Sequence, residues 1–141
     1  MIIICVLSFC LPKAYSQILH PVKWSYGAKR LNKDEAVIFL KADIEDGWHI
    51  YSVNQKEGGP VKTSFKFEAS LIGTVSEPRP ITEHEAAFNM DVSYFEHEVI
   101  FQQKISLRQA QADIKGSVNF MTCNNQKCLP PETIEFTIPV K

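Results

Sequence analysis

The residues of this chain best suited to chemistry are two cysteines in the stretch FMTCNNQKCLPPE, residues 120–132. Cys123 and Cys128 are parted by four polar residues and followed at once by Leu129, Pro130 and Pro131. Such a pair can be a static staple, half of a metal clip, or a dithiol that opens and closes. An extended chain over five residue steps would hold the two Cα atoms roughly 17 Å apart. A disulfide needs about 4.4–6.8 Å. A bonded pair therefore requires the loop to double back, and Asn124-Asn125 is good turn chemistry for doing so. The prolines after Cys128 stiffen the exit and withhold backbone donors.

Magnitudes separate the three uses only in part. In the chain-entropy model, closing a loop of about six residues gives roughly 2 kcal/mol, against about 4.7 for a loop of 100. A staple would do more by joining distant strands. A structural zinc needs four ligands. No second cysteine pair accompanies this one after export, and His20, His49, His84 and His97 are scattered without ligand spacing. A redox centre needs a thiolate near neutral pH and a partner cysteine to resolve the mixed disulfide. The loop supplies that partner, and Lys127 beside Cys128 could favour its thiolate, although a loop lysine is ordinarily just solvated. From the residues alone, staple and redox centre both stand, and neither calls for a cofactor.

The elements that position the pair are strands. Period-two alternation dominates the chain, and no segment carries an apolar stripe of helical period. Thr63, Phe65 and Phe67 share one face in VKTSFKFE, and Val99, Phe101, Ile105 and Leu107 do so in residues 99–107. Ile114, Val118 and Phe120 repeat the pattern, as do Ile134, Phe136, Ile138 and Val140. Residues 36–44 and 48–53 are two further strands, parted by the turn signal Asp46-Gly47. Gly58-Gly59-Pro60 and SEPRP punctuate loops. The spacing predicts an all-β, immunoglobulin-like β-sandwich of about seven to eight antiparallel strands. The cysteine loop then joins two strong strands, 113–122 and 133–140.

Composition limits location and partners. Residues 2–11, IIICVLSFCL, form an apolar run too short to span a bilayer. The small residues Ala14 and Ser16 follow in AYSQ, so residues 1–16 read as a secretory signal cleaved before Gln17, and 17–141 as one domain. Cleavage removes Cys5, Cys10 and Lys13, leaving two cysteines and 14 basic against 16 acidic residues, a net of −2. That balance, without a basic cluster, argues against nucleic acid or an anionic membrane surface as partner. The mature chain has no segment to span a membrane. An exported protein with one cysteine pair lives where disulfides persist.

The loop CNNQKCLPPE resembles the active-site loop of the amino-terminal periplasmic domain of the DsbD thiol:disulfide interchange family. DGWHIYS (46–52) is similar to that family's strand of aromatic residues near the cysteines, and AFNMDVSYFEHEVIF (87–101) to its cap loop and the strand after it. The resemblance implies an immunoglobulin-like fold and thiol–disulfide exchange. It implies that Cys128 forms mixed disulfides with partners and that Cys123 resolves them. Phe88 falls at the cap position, Tyr51 at an aromatic lining position, and His49 in place of a second one. Phe88 as a core residue, and His49 as a bystander able to tune a thiolate, are the plainer alternatives. Implied partners are a thioredoxin-like or membrane-embedded thiol reductase as electron donor and oxidised periplasmic proteins as acceptors. With the chain ending at Lys141, that donor is expected to be a separate protein. The rival expectation is a non-redox immunoglobulin-like binding module with a structural disulfide.

Overall fold

The alternation becomes eleven antiparallel strands, with no helix among the described residues. The structure, a computed structural model, describes residues 19–141. The expected signal at 1–16 and its cleavage before Gln17 lie outside the described residues.

The first sheet begins with a hairpin of β1 (Val22–Asn32) and β2 (Glu35–Ile44). The Asn32 side-chain oxygen accepts a hydrogen bond from the Asp34 amide at 2.8 Å and so fixes the tight turn between them. Next to β2 lies β8 (Glu98–Ser106), and outside it β5 (Ser70–Ser76). A second sheet has β9 (Ala112–Phe120) between β11 (Glu132–Val140) and β4 (Ser64–Phe67). Inward residues of the two sheets alternate with outward ones and form the main core. Ile38, Leu40, Phe101, Ile105, Val118 and Ile138 are all essentially without exposed surface. Trp24 fills the space between the sheets, its ring 5.4 Å from Phe120 and 6.1 Å from Phe101.

One inward position is polar. Gln103 is buried, and its side-chain amide donates to the carbonyls of Gly73 and Lys104. The β5–β8 register shifts between Ile72 and Ser76, and Gly73 there has φ +71°. Gln103 supplies hydrogen bonds that the interrupted ladder leaves unmade.

A third, smaller sheet carries the chemistry. Its order is β10 (Thr122–Cys123), β3 (His49–Tyr51), β7 (Met90–Phe95), β6 (Ile81–Glu85). Gly47, at φ +85°, turns the chain from β2 towards β3 at the expected Asp46-Gly47 position. The strand expected over 113–122 is divided at Met121: β9 stays in the second sheet and β10 joins the third. This change of sheet delivers Cys123 to a site away from the main core.

Eleven strands exceed the seven or eight expected. The extra ones are mostly short or exposed: β10 has two residues and β3 three, and every residue of β6 except Glu85 is exposed. The stretch that resembles the cap loop and its following strand is the turn and second strand of a hairpin. β6 and β7 pair antiparallel, and residues 86–89 form the turn that carries Phe88. Asn89 takes φ 50° there, a conformation asparagine tolerates better than most residues.

Candidate functional site

Cys123 and Cys128 are bonded, with Sγ atoms 2.09 Å apart and Cα atoms 4.0 Å apart. The loop between them folds back as the asparagine chemistry predicts. The Asn124 side-chain oxygen accepts from the amides of Gln126 and Lys127, both at 2.8 Å. The Asn124 amide donates to the Lys127 carbonyl, and the Leu129 amide to the Thr122 carbonyl, each at 2.8 Å. Two backbone hydrogen bonds thus bracket the disulfide, one inside the loop and one outside it.

The two sulfurs have opposite surroundings. Cys123 has 0% exposure, whereas Cys128 lies on the surface with Asn125, Gln126 and Lys127. Cys123 belongs to a small apolar cluster with Tyr51, Val92, Tyr94 and Met121, separate from the main core. Phe88 and Met90 pack against this cluster, half-buried. A side chain at Gly59 would collide with Met90 Sδ, so glycine there leaves room for the methionine.

Strand pairing explains the gathering. In antiparallel register Cys123 lies opposite His49, and Tyr51 opposite Tyr94. Facing residues share one side of a sheet, with Cβ atoms about 4.5–5.5 Å apart. His49 and Tyr51, two residues apart on β3, point the same way. Their side chains meet through a 2.9 Å hydrogen bond between His49 Nε2 and Tyr51 Oη. The His49 ring also lies 4.7 Å from that of Tyr94.

This face is crowded and acidic at its rim. Burial holds the His49 imidazole below its ordinary value, against the opposing pull of the Glu85, Glu96 and Glu83 carboxylates. Burial foremost, then the Glu85 charge and Tyr94, push the Tyr51 phenol upward. Burial and then a hydrogen bond to Glu83 push Tyr94 up to about 12. Both phenols therefore stay protonated at neutral pH. Among the described residues, no group of three or more His, Cys, Asp or Glu is placed to hold a metal ion.

The family model described as thiol:disulfide interchange protein DsbD, N-terminal, matches residues 16–139. The chain belongs to this family. Among curated proteins none matches its sequence significantly. Among solved structures, it is similar to the reduced DsbD N-terminal domain of Neisseria meningitidis, with 19% identity and TM-score 0.56 over 80% of this chain and 82% of that one. It is also similar to the N-terminal periplasmic domain of ScsB from Proteus mirabilis, with 18% identity and TM-score 0.61. That match takes in 84% of this chain but 45% of the ScsB chain. A third likeness is to the complex between the DsbD N-terminal and PilB N-terminal domains of N. meningitidis, with 16% identity and TM-score 0.57 over 79% of this chain and 80% of that one. At these identities the structural likenesses speak for the fold.

Within this DsbD-type domain, the five residues singled out in the sequence lie together. Cys123 and Tyr51 share the small cluster and Phe88 packs against it, Cys128 is disulfide-bonded to Cys123, and His49 is hydrogen-bonded to Tyr51. Tyr94, against the His49 ring, is a site residue that the sequence reading missed. The alternation of Val92 and Tyr94 with Asp91 and Ser93 carries the signal for it.

Proposed function

We propose that the chain is a periplasmic dithiol–disulfide carrier working through Cys128 and Cys123. The observation that carries this reading is the division of exposure within the bonded pair. A sulfur that meets other proteins must be accessible, and Cys128 is exposed. The sulfur that resolves the mixed disulfide has only to reach Cys128, and Cys123 is buried beside it. Family membership supports thiol–disulfide exchange as the chemistry.

The reduced Cys128 thiolate attacks one sulfur of a partner's disulfide, and the partner's other sulfur leaves as a thiolate. Cys123 then attacks Cys128 Sγ, the second partner thiolate leaves, and the Cys123–Cys128 bond forms. The partner gains two electrons and the carrier loses two. A thioredoxin-like or membrane-embedded thiol reductase returns the pair to the dithiol, and oxidised periplasmic proteins are the acceptors. The neighbour solved as a complex of DsbD and PilB N-terminal domains supports a protein as the partner of such a domain. Phe88 caps the disulfide, and Tyr51, with His49, lines the site.

The working domain comprises residues 17–141 after removal of a signal at 1–16. No helix among the described residues is long and apolar enough to cross a membrane. Intact mass of exported protein should correspond to a start at Gln17, and retention of Met1 would remove the signal assignment.

Trapping tests the roles of the two sulfurs. Cys123→Ser should accumulate mixed disulfides with an oxidised thioredoxin-like protein, because its Cys128 adduct has no resolving thiol. Cys128→Ser should accumulate none. Equal trapping by both variants contradicts the assignment.

A further inference from the structure

A fully buried thiol is a poor nucleophile, because burial in apolar surroundings disfavours its ionisation. The Cys123 sulfur, bonded here to Cys128, is packed among Tyr51, Val92, Tyr94 and Met121, and release of that bond makes it such a thiol. Resolution of a mixed disulfide at Cys128 therefore needs somewhere for the Cys123 proton to go. The position opposite Cys123 in the strand ladder holds a histidine.

We propose that His49 takes the Cys123 proton in the resolving step, and that Tyr51 is the positioning residue that holds its ring. The proposal rests on the carrier reading and adds to it the source of the resolving thiolate. His49 Nε2 is engaged by Tyr51 Oη at 2.9 Å, and Tyr94 flanks the same ring. In this role Nε2–H donates to Tyr51 Oη, and Nδ1 is the nitrogen that receives the proton. The Cys123 thiolate then displaces the partner's sulfur from Cys128, and the departing thiolate is reprotonated from imidazolium or solvent. Charge and electrons balance without any further reactant.

Every element around His49 bears on its proton. Tyr51 lies on its own strand, Cys123 on β10, Tyr94 on β7 and Glu83 and Glu85 on β6, while Glu96 follows β7. Glu83, His84, Glu85, Tyr94 and Glu96 line, with His49, a depression of about 330 Å³. The carboxylates favour the imidazolium once it has formed, and burial keeps the resting ring neutral and ready to accept.

The test uses the reduced exported chain and Ellman's reagent in stopped flow. The first thionitrobenzoate released reports attack by Cys128, and the second reports resolution by Cys123. In the wild type the second release should be level with pH, from just above the His49 value up to the thiol's own. In His49→Gln it should be about 10²-fold slower at neutral pH and climb with rising pH until it meets the wild type. The first release should change little. Tyr51→Phe, which removes the acceptor that favours the imidazolium, should carry the level range to lower pH and slow the second release less. A His49→Gln profile parallel to the wild type at every pH overturns the proposal. Should His49→Gln fail to fold by its urea midpoint, an unchanged profile in Tyr51→Phe overturns it equally. If the wild type gives no first release, the carrier reading falls and takes this proposal with it. A first release with a second release insensitive to both substitutions removes this proposal alone.

Discussion

Cys123 has no exposed surface, while Cys128, bonded to it, lies on a surface loop. The difference follows from where each cysteine sits. Cys123 is the last residue of β10, held against β3, and Cys128 is on the returning arm of a turn whose tip is wholly polar. One bond thus joins a protected sulfur to an accessible one.

The Phe88 side chain leans on the small cluster around Cys123 and takes no part in the main core. Phe88→Ala should therefore speed reduction of the Cys123–Cys128 bond by small thiols and leave the urea midpoint nearly unchanged. Phe101, fully buried between the large sheets, makes the contrast. Its truncation to Ala should cost about 3–5 kcal/mol. An unchanged reduction rate with a collapsed midpoint in Phe88→Ala would make Phe88 a core residue and not a cap.

The Asn124 side chain fixes the loop by accepting two amide hydrogens. Asn124→Ala gives up about 1 kcal/mol of net hydrogen bonding, and the two sulfurs meet less often in the reduced protein. The equilibrium of the Cys123–Cys128 bond against glutathione should shift about fivefold towards the dithiol. No shift would mean that the backbone bonds at Asn124 and Leu129 hold the loop unaided.

The buried phenols set an alkaline limit. The Tyr94 value is about 12 in the folded protein, mainly through burial and then Glu83, against about 10 for a free tyrosine. The folded state holds that proton more tightly than the unfolded chain. Its contribution is complete below about pH 10 and is lost as pH rises towards about 12. Tyr51, raised by burial, acts in the same direction. The urea midpoint should be level from neutral to about pH 9 and then fall, and Tyr94→Phe should lessen the fall. His49 acts on the acid side. Its folded value is lowered, so its contribution is present above about 6.5 and fades as pH falls through the folded value. An alkaline fall as steep in Tyr94→Phe as in the wild type would contradict the assignment.

The large sheets were legible because their strands are buried on one face only. β9 and β11 alternate inward apolar with outward polar residues, the pattern a half-buried strand writes. β2 and β8 keep the same alternation of burial despite Val37, Phe39 and Ile100 facing outward and Gln103 facing inward. β1 carries the same pattern in Trp24, Tyr26 and Ala28 against Lys23, Ser25 and Lys29, yet falls outside the expected strands. β5 and β6 left little trace: as edge strands exposed on both sides, they need no alternation. The cysteine loop and its turn were readable locally, since Asn124 bonds only to its near neighbours. The opposition of His49 and Cys123 was not, because pairing between distant strands depends on the change of sheet at Met121. Phe88 could be placed near the disulfide only through family resemblance, and its position on a hairpin turn required the structure.

The reduction potential of the Cys123–Cys128 couple tests the central claim most directly. It can be measured by equilibrating the exported protein with thiol–disulfide buffers and counting free thiols by mass after alkylation. A carrier must accept and surrender electrons among periplasmic thiol proteins, which places its potential above about −300 mV. A potential well below about −300 mV, where structural disulfides lie, would contradict the account and leave the bond a static staple.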